Sequence, residues 1–234
     1  MFFHKHPYAP FIPPNARKLI VGTLPPPRFS LQDLKEGDVN FCYGSRDGLL
    51  WPVLDRIFGL NLIYANTKEA ISQRKNFLEE HDIGICDIVE SCYRKKIDAS
   101  DLGMEKVTLR NLLFYLRGYS TIDTILFTGG NSKNGPEYFF RKHLKENGSR
   151  LEPVDTEVPR IHRFVLESDH RKAVKRESLQ DKKRYITTIS LTAPSGSANR
   201  AIGSIPLYKH LKKKDTTFST IDFRVMQYEP FFRN

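Results

Sequence analysis

One rhythm constrains this sequence more than any other feature. Short β-type apolar runs, each closed by turn residues, alternate with longer stretches of helical spacing. The run 17–23 carries Leu19, Ile20 and Val21 and stops at Pro25, Pro26 and Pro27, as a buried strand entering a rigid loop does. The runs 82–89, 122–128 and 185–191 repeat the pattern; the third ends in Gly129-Gly130 and the fourth in the polar loop 192–199. Between them, Leu50, Val53, Leu54, Ile57 and Phe58 share one side of a helix predicted over 48–58, with Pro52 tolerated in its first turn. Further helices are predicted over 66–80, 107–116 and 138–145. Alternation at this spacing predicts an α/β fold with a mainly parallel sheet covered on both faces.

The rhythm breaks in three places. Residues 1–17 are rich in proline and aromatic residues, so extended or turning rather than helical. Residues 150–184 interrupt the alternation, and 171–184 hold seven Lys or Arg in fourteen positions, as an inserted hairpin or loop. The stretch 218–234 is aromatic and predicts a final packed helix or strand. No repeat or flexible linker divides the chain, so one domain over 1–234 is expected, with a basic insertion at about 150–184.

Composition narrows the function classes. Apolar residues make up 39% and charged residues 27% of 234, which is globular rather than disordered. No apolar run approaches the length needed to span a bilayer, and the N-terminus lacks a signal-peptide pattern. Cys42, Cys86 and Cys92 are odd in number, unpaired in spacing and too few for a disulfide scaffold or a four-thiolate cluster. A cytoplasmic monomer without metal or cofactor is the expectation. The 37 Lys and Arg against 27 Asp and Glu leave +10, a charge that attracts polyanions, nucleic acid being the commonest. Solvated surface lysines are the alternative reading of the same number.

In parallel α/β sheets ligands collect beyond the carboxyl ends of the strands. Four loops should meet there: 24–28, 87–92, 129–135 and 192–200. Their small and polar residues suit close approach to a phosphate, although any α/β protein needs turn residues at its strand ends. Gly129 to Gly135 misses dinucleotide-binding spacing, and no P-loop motif occurs. The segment Asn40 to Leu54 adds two aromatics, Phe41 and Tyr43, then a polar Gly-Ser-Arg-Asp turn ahead of the predicted helix. Asp47 stands where its charge complements the helix dipole, so capping is one reading of it.

The order of these segments resembles the uracil-DNA glycosylase superfamily, most closely its mismatch-specific and hypoxanthine-DNA glycosylase-like branches. Residues 6–13 leading into Leu19-Ile-Val-Gly-Thr-Leu-Pro25 are similar to the family's N-terminal approach and first motif. Tyr43 to Leu54, Gly84 to Val89 and Pro194 to Arg200 are similar to later motifs, in family order. The resemblance implies a three-layer αβα fold with a central, mainly parallel four-stranded sheet. It also implies a base-flipping pocket and hydrolysis of the N-glycosidic bond of a deaminated base, uracil or hypoxanthine, in base-excision repair without a metal. Flipping is physically necessary because the bond is inaccessible inside a stacked duplex.

Carried over by position, the resemblance puts Gly22, Thr23, Leu24, Phe41, Tyr43 and Asp87 around the base. Phe41 or Tyr43 would be the stacking ring, with core packing as the alternative; for Asp87 the alternative is a cap or turn. Pro194, Ser195, Gly196, Ser197 and Asn199 would press on the DNA strand. Arg46 and Arg200, with Lys209, Lys212, Lys213 and Lys214 on a predicted helix and the 171–184 run, would supply the basic footprint. If about six of these meet phosphates, binding should fall with salt at a log–log slope of about −5.

Three positions depart from the family pattern. Leu24 stands where many members carry the water-positioning Asp or Asn, Ala193 where some carry His, and Gly48 where the hypoxanthine-type branch carries Asn. Asp47, one residue away, becomes the candidate to orient water and steady the cationic sugar. A monofunctional glycosylase is therefore the first reading. A nucleic-acid-binding protein that kept the fold and lost catalysis is the second, and a hydrolase of free nucleosides, disfavoured by the basic charge, is the third.

Overall fold

Alternation along each core strand decides the layering. The computed structural model describes residues 1–167 and 184–233. In chain order the elements are β1 (Phe2–Lys5), β2 (Lys18–Gly22), the short α1 (Pro27–Ser30), α2 (Leu50–Phe58), α3 (Lys68–Glu80), β3 (Ile83–Asp87) and β4 (Val89–Arg94). They continue with β5 (Met104–Leu109), α4 (Leu112–Gly118), β6 (Thr124–Phe127), α5 (Pro136–Glu146), β7 (Glu152–Asp155), β8 (Arg160–Leu166) and β9 (Arg184–Ser190). The chain then closes with α6 (Asn199–Ser204), α7 (Pro206–Lys214) and α8 (Thr220–Arg233).

The main sheet has the order β3-β2-β6-β9-β8-β7. The first four strands are parallel, and β8 and β7 add on antiparallel beside β9. Successive side chains of a strand face opposite ways, so Leu19 and Val21 of β2 and Ile125 and Phe127 of β6 enter one core, with α4 and α5. Ile20, Leu126 and Ile189 enter the other, with α2, α3 and α8. This gives helices on both faces and a buried parallel center. A second sheet, β1-β4-β5, is antiparallel and packs Cys92 and Met104 into the first core.

Three expectations need correction. The sheet has six strands, not four, because the 150–184 region folds in part as a hairpin, β7 and β8, that pairs along β9. The helix expected over 107–116 starts only at Leu112; Met104–Leu109 is a strand that pairs antiparallel with β4. The single strand expected over 82–89 is two, since β4 follows β3 after one residue, while β1 has the extended form expected within residues 1–17. The helix over 48–58 begins at Leu50 and buries Leu50, Trp51, Val53, Leu54 and Ile57, whereas Phe58 is half-buried. The expected helix over 66–80 starts at Lys68 behind Thr67, whose side chain accepts the Ala70 N–H. The final aromatic stretch is the helix α8. Residues 171–183 of the basic run lie outside the described residues.

Candidate functional site

Chain connections leave β2 toward β3 on one side and β6 toward β9 on the other, so the strand order reverses between β2 and β6. A crevice at the carboxyl ends of such a pair is the usual ligand position in open α/β sheets. Here it is filled by Tyr43, half-buried, whose hydroxyl lies 3.0 Å from Thr128 Oγ1 just past β6. The approach is possible because Gly22 ends β2 without a side chain. A Cβ there would fall 2.1 Å from the Tyr43 hydroxyl and 2.5 Å from Asp87 Oδ1. Tyr43 holds a left-handed backbone, φ +58°, that a non-glycine residue adopts only at a cost. Burial, and after it the Asp87 charge, push its phenol well above the ordinary range, so the group keeps its proton and can donate.

Asp87 ends β3 and is buried. Its Oδ2 lies 2.8 Å from His6 Nε2, while His6 Nδ1 accepts the Tyr8 N–H at 3.0 Å. The Tyr8 bond fixes the tautomer: the proton sits on Nε2 and is donated to the carboxylate. Arg110 donates to the Asp87 and Tyr8 carbonyls and ties this corner to the start of α4. On the other side, Thr23 donates its hydroxyl to Asp101 at 3.3 Å. Desolvation raises the Asp101 pKa to about 6, against the Thr23 bond and the nearby Arg94 charge. Asn134, from the loop after β6, holds this turn through the Asp101 and Met104 carbonyls. Leu24 packs against the apolar core.

The segment before α2 is built around a buried carboxylate. Asp38, with no exposed side-chain surface, takes a bidentate pair from Arg28 at 2.7 and 2.9 Å and the backbone N–H groups of Lys35 and Arg46. Burial works against its charge, but these donors outweigh burial and hold its pKa down to about 2. The same Arg28 guanidinium reaches Ser45 Oγ at 2.8 Å and Asp47 Oδ2 at 3.1 Å. Asp47 does not cap α2, whose N-cap is Leu49 without a side-chain bond. Instead it stands on the rim with its side chain 70% exposed, beside exposed Arg46. Phe41 is a core ring between Phe11 and Trp51, and Trp51 Nε1 donates to the Cys42 carbonyl at 2.9 Å. Of these two rings, Tyr43 is the one at the strand ends.

The loop after β9 joins this rim. Leu49 N–H donates to the Pro194 carbonyl at 2.8 Å, and Gly48 and Ser195 form an antiparallel bridge. Pro194 is buried, Gly196, Ser197, Asn199 and Arg200 are exposed, and the Ser195 and Ser197 hydroxyls are 2.9 Å apart. The Ala193 side chain lies near Gly129, where a Cβ would meet it at 4.0 Å. From behind, α8 grips the loop: Arg224 donates to the Ala193 and Ser195 carbonyls and to Asn199 Oδ1. Gln227 accepts the Thr192 N–H, and Tyr228 donates to the Thr192 carbonyl.

The basic footprint is scattered. Lys209, Lys213 and Lys214 are exposed on or at the end of α7. Arg184 is removed from it, because its guanidinium is spent on the carbonyls of Leu116, Tyr119 and Ile122. A different arginine reaches the strand ends: Arg160 of β8, bonded to buried Glu137, would lie 2.6 Å from a Cβ on Gly130. Among the described residues no group of three or more His, Cys, Asp or Glu is placed to hold a metal ion, and no helix is long and apolar enough to cross a membrane.

His6, Arg28, Asp38, Asp101, Thr128 and Arg224 were not legible as site residues. His6 carried one signal, its place in the His-Pro approach to the first strand. The others reach the site from distant elements and have no local pattern.

No protein-family model and no curated protein matches the chain. In fold it is similar to the solution NMR structure of a provisionally assigned uracil DNA glycosylase from Methanosarcina acetivorans. That similarity has a TM-score of 0.50 at 13% identity and covers 95% of this chain and 98% of the other. It is a likeness of fold, and it spans the central sheet and its flanking helices together.

Proposed function

We propose that this chain is a monofunctional DNA glycosylase that hydrolyses the N-glycosidic bond of a flipped deaminated base, uracil or hypoxanthine. The observation that carries the reading is the cluster of side chains at the strand-order reversal. Gly22, Tyr43, Asp87 and Thr128 meet there beside the joined 45–49 and 194–197 loops, in a fold similar to that of the archaeal protein named above. Water adds to the sugar C1′, the C1′–N bond breaks, and the base leaves with the bonding electrons before taking a proton. The Thr128 hydroxyl, freed when Tyr43 moves, is the donor for the departing base, and such a donor acts strongly where water is excluded. The ring of Tyr43 is the stacking surface, and it must shift from its seat on Gly22 to admit a base. Asp47 orients the water through the carboxylate oxygen that Arg28 leaves unbonded.

A second reading keeps DNA binding without catalysis, and Leu24, Gly48 and Ala193 favor it, since none offers a group that could activate water. The deciding assay uses labelled duplexes holding one uracil, hypoxanthine or xanthine, with abasic sites revealed by alkali. Cleavage lost in Asp47→Ala supports the enzyme reading with Asp47 in its role. Cleavage that persists in that variant moves the water to another group. No cleavage of any base, with salt-dependent duplex binding retained, leaves the second reading.

A further inference from the structure

Two aromatic rings stand in the open on the second sheet. Phe3 of β1 is 51% exposed and Tyr93 of β4 is 37% exposed, and their centroids lie 5.2 Å apart. The register sets Phe3 directly opposite Tyr93, while the next pair, His4 and Cys92, is buried. The two rings therefore share the outer face of the sheet. Tyr93 in turn faces Glu105 of β5, and between Glu105 and Thr108 that strand carries an extra residue. In this bulge Lys106 holds φ +48°, a left-handed backbone that a lysine adopts only at a cost. Its ammonium lies over the Tyr93 ring, 5.8 Å from the centroid. Of the two acids on these three strands, Glu105 is met by Lys95 at 3.2 Å, and Glu90 lies near the start of β4, away from the rings. Lys5, Lys96 and Lys106 are exposed and make no ion pair among the described residues.

We propose that the outer face of the β1-β4-β5 sheet is a platform for single-stranded DNA, on which Phe3 and Tyr93 stack unpaired bases while Lys5, Lys96 and Lys106 meet the adjoining phosphates. This deepens the DNA-acting reading above and rests on its DNA partner, not on its chemistry. Open aromatic faces among unpaired lysines match a chain of flat bases joined by anions. In a duplex the base faces already lie on one another, so only an unpaired strand can offer them. Ile97 and Leu102 are exposed on the β4–β5 connection, as a protein partner would also use. The core of a protein interface is depleted of lysine, however, and here a lysine covers the tyrosine ring itself. The platform also runs into the site. β1 leads straight to His6, which is bonded to Asp87, and β4 begins after a single residue beyond Asp87. Phe3 is three positions from His6, roughly 10 Å along an extended strand, so bases stacked there flank one held at the strand ends.

The test is fluorescence-anisotropy titration of a labelled thymidine oligomer of about twelve nucleotides, beside an abasic oligomer of the same length and charge, with each variant's fold checked by its thermal melt. The native protein should bind the thymidine oligomer about tenfold more tightly than the abasic one. Tyr93→Ala should weaken thymidine binding about tenfold and leave abasic binding nearly unchanged, and Phe3→Ala should do the same. Tyr93→Phe keeps the ring and should keep the affinity. Tyr93→Leu is apolar without a ring and should bind as weakly as Tyr93→Ala, which a merely structural or apolar role would not produce. Lys106→Gln should weaken both oligomers and reduce the log–log salt slope by about 0.7. If Tyr93→Ala does not fold, Phe3→Ala and Tyr93→Leu decide the matter. Equal native affinity for the two oligomers overturns the proposal, as do folded ring variants binding within about twofold of the native protein. So does a native dimer that Tyr93→Ala dissolves, since a second copy then covers the face. A protein that binds duplex but gains nothing from unpaired bases loses this platform and keeps the glycosylase reading. One that binds the oligomer through these rings but releases no base keeps the platform and sinks the enzyme reading instead.

Discussion

Gly22→Ala is the sharpest probe of the crevice, because one methyl group tests three contacts. The added Cβ would sit 2.1 Å from the Tyr43 hydroxyl, 2.8 Å from its Cζ and 2.5 Å from Asp87 Oδ1. Ordinary contact needs more than an extra ångström, so the Tyr43 ring must leave its seat and break its 3.0 Å bond to Thr128. The loop cannot slide to absorb this, since a Cβ on adjacent Gly44 would already lie 1.9 Å from the Val39 carbonyl. Overpacking of this kind costs about 1–3 kcal/mol, and a lost buried hydrogen bond about 1 kcal/mol more. Replacing glycine in a strand returns roughly 0.5–1 kcal/mol. The net is a destabilisation of about 1–3.5 kcal/mol, or a melting temperature lower by roughly 2–14 °C for a chain of this size. Urea and thermal unfolding of Gly22→Ala, Tyr43→Ala and the double variant form the cycle. Without the Tyr43 ring the methyl meets Asp87 alone, so most of its cost should vanish, a coupling of about 1–2 kcal/mol. Additivity within about 0.5 kcal/mol would refute the seating of Tyr43 on Gly22.

The other predictions concern the carboxylates around the rim. Asp38→Ala breaks a buried pair and leaves two backbone donors unbonded; a loss of about 3–5 kcal/mol in chemical denaturation is expected. The stabilisation from the Asp38 charge is present above the ordinary carboxylate pKa and is lost as pH falls through about 2, so Asp38→Asn should flatten the acid limb of the stability curve. Asp101 runs the other way. With its pKa raised to about 6, the folded protein holds a proton that the unfolded chain has lost, so stability falls as pH rises from about 4 through 6. Asp101→Asn should remove that slope and stabilise the protein at neutral pH, measured by melting across the same range; an unchanged slope counts against desolvation of the Asp101 carboxyl.

How far the fold was legible depended on whether local pattern and tertiary role agreed. The runs at β2, β3 and β6 are largely apolar on both faces, and β9 carries buried Thr188 and Ser190 among β-branched and apolar neighbours, because both faces are covered, so a continuous run and a turn cluster sufficed to find them. Met104–Leu109 failed for the opposite reason. Its alternation of half-buried and exposed residues on a two-sided edge is too weak to compete with the helix-spaced apolar residues that follow it. The β7–β8 hairpin was seen as an interruption but not as sheet, because Glu152–Asp155 is exposed throughout and carries a proline, which suits only an edge. At the site, loops were legible and partners were not. Asp87 could be placed at a strand end, but its bond to His6 spans 81 positions. The Arg224, Gln227 and Tyr228 clamp has the i, i+3, i+4 spacing of an ordinary polar helix face. Only the packing of α8 behind the last loop turns that face inward.

The placement of Asp47 changes what its proposed role demands. With its side chain 70% exposed, it acts through water in the free protein. A unit charge about 4 Å from the developing sugar cation is then worth only about 1 kcal/mol. At the effective dielectric of a partly covered protein site, the same pair is worth about 4 kcal/mol. The difference between these is the difference between a minor and a decisive contribution, and only bound DNA can supply it by covering the rim formed by the 45–49 and 194–197 loops. The effect of Asp47→Ala should therefore depend on the substrate. On a duplex long enough to cover both loops, the base-release rate should fall by two to three orders of magnitude, about 3–4 kcal/mol. On a minimal single-stranded substrate that leaves the rim wet, the fall should be about fivefold. Equal losses on the two substrates would mean that Asp47 does not act through its charge at the sugar, and that its bond to Arg28 is what the substitution removes.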